Sequence, residues 1–156
     1  MGKDKLLFAG NTASNNISVF TINSDCSLTL GQTYSTAGSP DAMKVTPTAR
    51  FLIQTNVGAP PDSWRITYSN GTLREMGPFT AQGIAQGLDI SCDGTTAYVG
   101  DEASYTQIEV YNIGASGGLT EINNYTNTSG QDSDNVLLSP DGTLLYVGET
   151  LSLIHI

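Results

Sequence analysis

The hexapeptide Thr143-Leu144-Leu145-Tyr146-Val147-Gly148 repeats Thr95-Thr96-Ala97-Tyr98-Val99-Gly100, and each follows an Asp-Gly pair, Asp141-Gly142 and Asp93-Gly94, 48 residues apart. Steps of 45 residues back from Tyr98 reach Ile53 and then Phe8. Each lies in a similar apolar patch, Arg50-Phe51-Leu52-Ile53-Gln54-Thr55-Asn56 and Lys5-Leu6-Leu7-Phe8-Ala9-Gly10-Asn11. Self-similarity at this period means one supersecondary unit used over and over, each copy burying its apolar surface against the next. The repeat constrains architecture strongly and chemistry weakly.

The third copy displays the unit. Gly87-Leu88-Asp89-Ile90-Ser91 reads as a short strand and Cys92-Asp93-Gly94 as a tight turn, with Gly94 supplying a positive φ. Residues 95–100 form a second strand rich in β-branched and aromatic side chains. Residues 101–106 are a polar loop. Gln107-Ile108-Glu109-Val110-Tyr111-Asn112-Ile113 alternates polar and apolar, as a strand does. After the glycine-rich turn 114–118, Leu119-Thr120-Glu121-Ile122-Asn123-Asn124-Tyr125 is the fourth strand. The other copies agree: Ile17–Ile22 and residues 64–68 are third strands, and residues 27–30 and 71–75 begin fourth strands. No helical periodicity is sustained, and Gly and Pro punctuate the chain every 8–12 residues or so, as in all-β proteins.

A four-stranded unit of about 45 residues has the size of a β-propeller blade. The predicted fold is therefore all-β, an open-ring propeller fragment of about three four-stranded blades. Residues 1–150 form the partial propeller, with blade repeats around 5–48, 40–80 and 85–128 and the start of another at 133–150. Closed rings have about 4–8 blades, so the remaining blades of the ring are expected to be missing from this chain. Residues 151–156, Leu-Ser-Leu-Ile-His-Ile, depart from the repeat. They read as the translated end of a sequencing adapter, with a truncated third strand as the alternative. Bare apolar sheet faces and open edges predict that the isolated chain oligomerises or aggregates.

Charge narrows the partners. Six Lys plus Arg stand against 15 Asp plus Glu, for a net charge of −9. Such a surface repels nucleic-acid phosphates and anionic lipid, and no apolar run has the roughly 20 residues of a membrane span. Neither nucleic acid nor membrane insertion is expected. Cys26 and Cys92 fall in turns two repeats apart, so no disulfide is expected, and no CxxC or neighbouring His suggests zinc.

Ser139-Pro140-Asp141-Gly142-Thr143-Leu144-Leu145-Tyr146-Val147 resembles the Ser-Pro-Asp-Gly-x-x-Leu-Tyr-Val signature of the lactonase-like seven-bladed β-propellers, also called YVTN-type repeats. The resemblance extends over residues 3–150. Cys92 replaces the usual Pro, and Thr48-Ala49 the usual Asp-Gly, both within a turn. Family members include 6-phosphogluconolactonases and a muconate-lactonizing cycloisomerase, and many others are secreted or periplasmic proteins without known activity. The resemblance implies a hydrolase-like lactonase and a periplasmic or extracellular location, with seven blades of which this chain carries about half.

A propeller implies a ligand at one mouth of its central channel, lined by the loops leading into each innermost strand (36–42, 82–87, 130–135) and the loops between second and third strands (11–16, 56–63, 101–106). Aligning the units places Asp41, Gln86 and Asp134 at one equivalent position. They form either a polar arc able to hold sugar hydroxyls or calcium, or local caps of turn backbone. Lys44 and Asp89 are also equivalent, on adjacent innermost strands. They read as an anion anchor or, preferably, as an ion pair across two blades, because buried charges are normally paired. Asp132, Ser133 and Asp134 beside Asp141 make an acidic cluster in sequence with no EF-hand spacing, and Asp101-Glu102 is a carboxylate pair on a loop. The single His, His155, lies in the aberrant tail, and no GxSxG elbow occurs. No catalytic residue, cofactor or metal is therefore assigned. Two functions remain: a lactonase-like protein acting on a sugar lactone or related small carboxylated ring, or a non-catalytic secreted or surface propeller that binds a small-molecule or protein ligand at the channel mouth. Fold alone does not choose between them.

Overall fold

The computed structural model describes residues 5–67, 70–76, 85–101, 107–126 and 133–149, with the side chains of residues 60, 62, 63, 107, 134 and 149 excepted. The departing tail at 151–156 and the loop segments 82–84, 102–106 and 130–132 lie outside the described residues.

Thirteen strands are described, in four antiparallel sheets. The first sheet is β1 (Lys5–Asn11), β2 (Asn16–Ile22) and β3 (Leu28–Ser35), in that order. The second is β4 (Ser39–Val45), β5 (Phe51–Val57), β6 (Ala59–Thr67) and β7 (Thr72–Glu75). The third is β8 (Ala85–Ile90), β9 (Thr96–Asp101), β10 (Gln107–Ile113) and β11 (Leu119–Thr126). The fourth is the hairpin of β12 (Ser133–Leu138) and β13 (Leu145–Glu149). Each sheet is an up-and-down meander whose strands pair with their sequence neighbours. The first strands β4, β8 and β12 stand side by side. Meanders fanned in this way about their first strands are the blades of a β-propeller, here an open arc.

The core lies between blades. Ile17, Val19, Leu52, Trp64, Ile66 and Leu73 close the space between the first and second sheets. Phe51, Ile53, Leu88, Val99 and Tyr111 are among those closing the space between the second and third. Burying such side chains contributes about 1.5–3 kcal/mol each. Inner strands are covered on both faces: residues 51–56 of β5 are all buried.

The repeated Ser-x-Asp-Gly-Thr turn is self-satisfying. Asp93 Oδ1 accepts from Ser91 Oγ (2.6 Å), the Thr95 N–H (3.0 Å) and Thr95 Oγ1 (2.8 Å). Asp141 makes the same three bonds with Ser139 and Thr143 at 2.5, 3.1 and 2.9 Å. These donors hold both carboxyls below the usual carboxylate range, the serine hydroxyl having the largest effect. Gly94 and Gly142 supply φ of 73° and 70°. In the second blade Ala49 occupies the glycine position at φ 55°, so the substituted turn keeps its shape at a steric cost.

One expected loop does not exist. Residues 56–63 are not a mouth loop: Asn56 pairs with Ala59 across a two-residue turn containing Gly58 (φ 82°). Pro60 and Pro61 fall at a bulge in β6 opposite Thr55, where their missing N–H groups cost no ladder bond. Residues 11–16 do form a connection, a single 3₁₀ turn at Thr12–Ser14.

Candidate functional site

The first strands share a distortion at one end. In β4 the register shifts between Pro40 and Met43, in β8 between Ala85 and Leu88, and in β12 between Ser133 and Asn135. Asp41, Gln86 and Asp134 each lie inside the shifted segment. A bulge kinks its strand and redirects a side chain, and bulges concentrate at rims and beside sites. The equivalence read from the sequence is thus a conformational one. Asp41 is exposed and Gln86 half-buried. The side chain of Asp134 is outside the described residues. The segments 36–42, 82–87 and 130–135 are less loop than expected, since Ser39, Ala85 and Ser133 already begin strands.

Neighbouring bulges are joined. Thr55, fully buried in β5, donates its hydroxyl to the Gln86 carbonyl at 2.7 Å and accepts from the Ala42 N–H at 3.0 Å. One hydroxyl therefore ties the bulge of the second blade to that of the third. At the equivalent position of the third blade stands Gly100, and a Cβ there would lie 2.4 Å from the Ser133 carbonyl oxygen. Here backbone meets backbone without a bridging side chain. In the first blade Gly10 lets Pro40 approach in the same way, with a virtual Cβ 2.9 Å from the proline Cβ. Thr12 Oγ1 donates to the Pro40 carbonyl (2.9 Å) and Ser39 Oγ to Asn15 Oδ1 (2.9 Å), which secures the start of β4.

Lys44 and Asp89 come together. Lys44 Nζ lies 2.7 Å from Asp89 Oδ1, with the two side chains 42% and 10% exposed. Asp89 Oδ1 also accepts from its neighbour's N–H at Ile90 (2.8 Å), and Oδ2 accepts from the Leu138 N–H at 2.7 Å. One carboxylate thus joins the first strands of three blades. Burial alone would raise its pKa. The hydrogen bond from the Lys44 ammonium, the two N–H donors and the nearby positive charge outweigh burial, and the carboxyl sits below the usual range.

The sequence reading missed a buried polar layer at the same end. Gln54, Asn56, Asp101, Glu109 and Ser133 are all buried. Gln54 Nε2 donates to Asn56 Oδ1, and the Tyr111 hydroxyl donates to Glu109 Oε2 at 2.6 Å. Burial, reinforced by the bond to Glu109 and by the surrounding carboxylates, pushes the Tyr111 hydroxyl well above its ordinary value. Gln54 Oε1 and Ser133 Oγ have no hydrogen-bond partner among the described residues. Asp101, read as a solvated loop charge, is a buried strand residue, while Glu102 lies outside the described residues. Glu109, a polar position in the alternation of β10, is buried because stacked blades cover both faces of that strand. The apolar bulk of Tyr111, two residues further along the same face, was the available signal. The acidic cluster also separates: Asp141 is in the turn at one end of the β12–β13 hairpin, and Ser133 is at the other.

Among the described residues the cations avoid the bulge end, Lys44 included, since it pairs with Ile53 near the turn end of β4. Arg50 stacks 5.3 Å over the Phe51 ring in the turn between β4 and β5. Arg65 and Arg74 are register partners, with Arg65 also opposite Phe51. Among the described residues the bulge end thus carries exposed Asp41 and buried Asp101 and Glu109, while the Lys44–Asp89 pair and the arginines lie toward the turn end. Such a rim suits hydroxyl groups and disfavours phosphate. Among the described residues no group of three His, Cys, Asp or Glu is placed to hold a metal ion. Cys26 and Cys92 are exposed free thiols.

No protein-family model matches the chain. No curated protein matches it either. Solved structures do. A protein of Bacteroides uniformis assigned provisionally as a 6-phosphogluconolactonase superposes with a TM-score of 0.82 at 16% identity, over 92% of this chain and 43% of its own. A protein of unknown function from Desulfotomaculum acetoxidans gives 0.83 at 20% identity, over 97% and 50%. The periplasmic gluconolactonase of Pseudomonas aeruginosa gives 0.77 at 21% identity, over 93% and 47%. The fold shared with these structures is the β-propeller. At these identities the likeness is one of fold, and the chain spans about half the length of the structures it matches. No helix among the described residues is long and apolar enough to cross a membrane.

Proposed function

We propose that this chain is part of a lactonase-like propeller of the seven-bladed YVTN type that opens a small sugar lactone at the bulged rim of its channel. Support comes from the shared fold with structures named for lactonase activity. The observation that supports the reading is the repetition of one bulge in three adjacent first strands, around Asp41, Gln86 and Asp134, which would present them together at the channel rim. Their carboxylates and carboxamide would bind ring hydroxyls. Lys44, further along the first strand that bears Asp41, toward its turn end and paired with Asp89, would attract from the channel wall the carboxylate formed when water adds to the carbonyl and the acyl C–O bond breaks, one proton going to the freed ring oxygen and one to solvent. Because the arginines lie at the other end, the reading favours an unphosphorylated lactone over a 6-phosphorylated one. A periplasmic or extracellular location accompanies it, as for the gluconolactonase neighbour.

Acid release from glucono-δ-lactone in a pH-stat tests this. Turnover above the buffer blank is expected, reduced by Asp41→Asn and Lys44→Met. Turnover unchanged in both variants, or absent altogether, refutes the assignment. Saturable gluconate binding without turnover would instead identify a binding module.

A further inference from the structure

Position 55 breaks a pattern in the repeat. Counted from the shared motif, Gly10, Thr55, Gly100 and Gly148 are equivalent. A side chain begun at Gly10 would lie 2.9 Å from the Pro40 Cβ, and one at Gly100 2.4 Å from the Ser133 carbonyl oxygen, so at both positions the first strand of the next blade rests against bare backbone. Between the second and third blades a fully buried threonine stands there instead. The backbone of β5 is therefore set back from the third blade by the depth of a side chain, and the Thr55 hydroxyl spans that separation. Its bonds select two residues of the rim. Pro40 pairs with Asn56 and Met43 with Gln54, so Thr55 stands opposite the bulged residues Asp41 and Ala42 of its own sheet. The hydroxyl accepts from the Ala42 N–H at 3.0 Å and donates to the Gln86 carbonyl at 2.7 Å. In the third blade Gly100 stands opposite the bulge at Gln86 and has no hydroxyl to offer, so the backbone there is held from the preceding blade.

We infer that Thr55 is a positioning residue for ligand binding, and that Asp41 and Gln86 together take up the hydroxyls of the sugar ring between the second and third blades. This rests on the lactone reading of the rim. Two groups that bind one ring must keep a fixed separation, and affinity falls when that order has to be supplied on binding. Thr55 ties the residue after Asp41 to Gln86 itself, so one side chain sets the distance between the two bulges. Because it acts on groups that bind rather than on the reacting carbonyl, its loss weakens substrate and transition state alike, which raises KM and leaves kcat.

Steady-state hydrolysis of glucono-δ-lactone by the full chain, well below the unfolding temperature of each variant, tests it. Thr55→Val, which fills the same space without the hydroxyl, should raise KM about tenfold at little-changed kcat, as for one ordered hydrogen-bonding pair released. Thr55→Ser, which keeps the hydroxyl, should return KM close to the wild-type value. Ile66→Val removes buried bulk from the same blade and leaves the hydroxyl untouched, so it should lower stability without moving KM. Thr55→Ala repeats the test should the valine variant fail to fold. A wild-type KM in the variant that lacks the hydroxyl, no recovery in Thr55→Ser, or an equal rise in Ile66→Val would each overturn the positioning role while the lactone reading stands. A wild type without turnover above the buffer blank would remove both.

Discussion

Replacing Asp89 is expected to loosen three blades at once, and the size of the effect follows from its partners. The carboxylate accepts from two backbone N–H groups, Ile90 at 2.8 Å and Leu138 at 2.7 Å, and from the Lys44 ammonium at 2.7 Å. Hydrogen bonds to a charged group contribute about 1.5–3 kcal/mol each. The Lys44 pair is discounted to below about 1 kcal/mol, because that side chain is half in water and the pair is partly screened. The Ile90 bond is local and survives in part in the unfolded chain, and water reaches the half-buried Leu138 amide. Asp89→Ala should therefore lose about 2–4 kcal/mol, and Lys44→Met less than about 1 kcal/mol. Urea unfolding followed by the fluorescence of the single tryptophan, Trp64, buried between the first two blades, measures both at one fixed protein concentration. The pH dependence has a definite sign. The folded carboxyl lies below its ordinary value of 3.8. The unfolded state thus binds more protons in that window, so the contribution is complete above about pH 4 and disappears as pH falls through the folded pKa. The stability gap between wild type and Asp89→Asn should narrow on acidification below that point. A loss under about 0.5 kcal/mol for Asp89→Ala, well short of one charged hydrogen bond, would refute the reasoning. So would a Lys44→Met variant as damaged as Asp89→Ala, or a gap that widens in acid.

Thr55→Val should cost about 1–3 kcal/mol, since it removes the donor to the Gln86 carbonyl and the acceptor of the Ala42 N–H, both part-buried, whereas Thr55→Ser, which keeps the hydroxyl and loses one methyl, should cost about 1 kcal/mol or less; urea midpoints compare the two. Gly100→Ala should destabilise by about 1–3 kcal/mol, because the new methyl meets the Ser133 carbonyl, which is backbone and yields little; an unchanged melting temperature would contradict the close approach of the third and fourth blades. Ala49→Gly should raise stability by up to about 1 kcal/mol by relieving a positive φ at a position where sister turns carry glycine, which thermal unfolding detects.

Much of the blade was legible in local pattern. Lys5–Asn11 and Gln107–Ile113 are strands with the bounds read from the repeat, and the Asp93-Gly94 and Asp141-Gly142 turns form as their residues require. These features depend on neighbours a few residues apart, for which backbone sterics and short-range hydrogen bonds suffice. The equivalence of Asp41, Gln86 and Asp134 was also readable, because a repeat carries position with it. Their placement inside bulges was not, since a register shift is a property of two strands.

The sequence by itself determined the unit, its strand order and its turns, and it named Lys44 and Asp89 as counterparts one repeat apart. Only the tertiary structure decided what those counterparts do. The third carboxylate contact, to the Leu138 amide, comes from a blade 49 residues away in the chain. The burial of Asp101 and Glu109 likewise exists only because blades stack on both faces of a sheet. An alternating strand reads as half-wet until a neighbour covers its second face, and which side chains lose their water is settled by that packing.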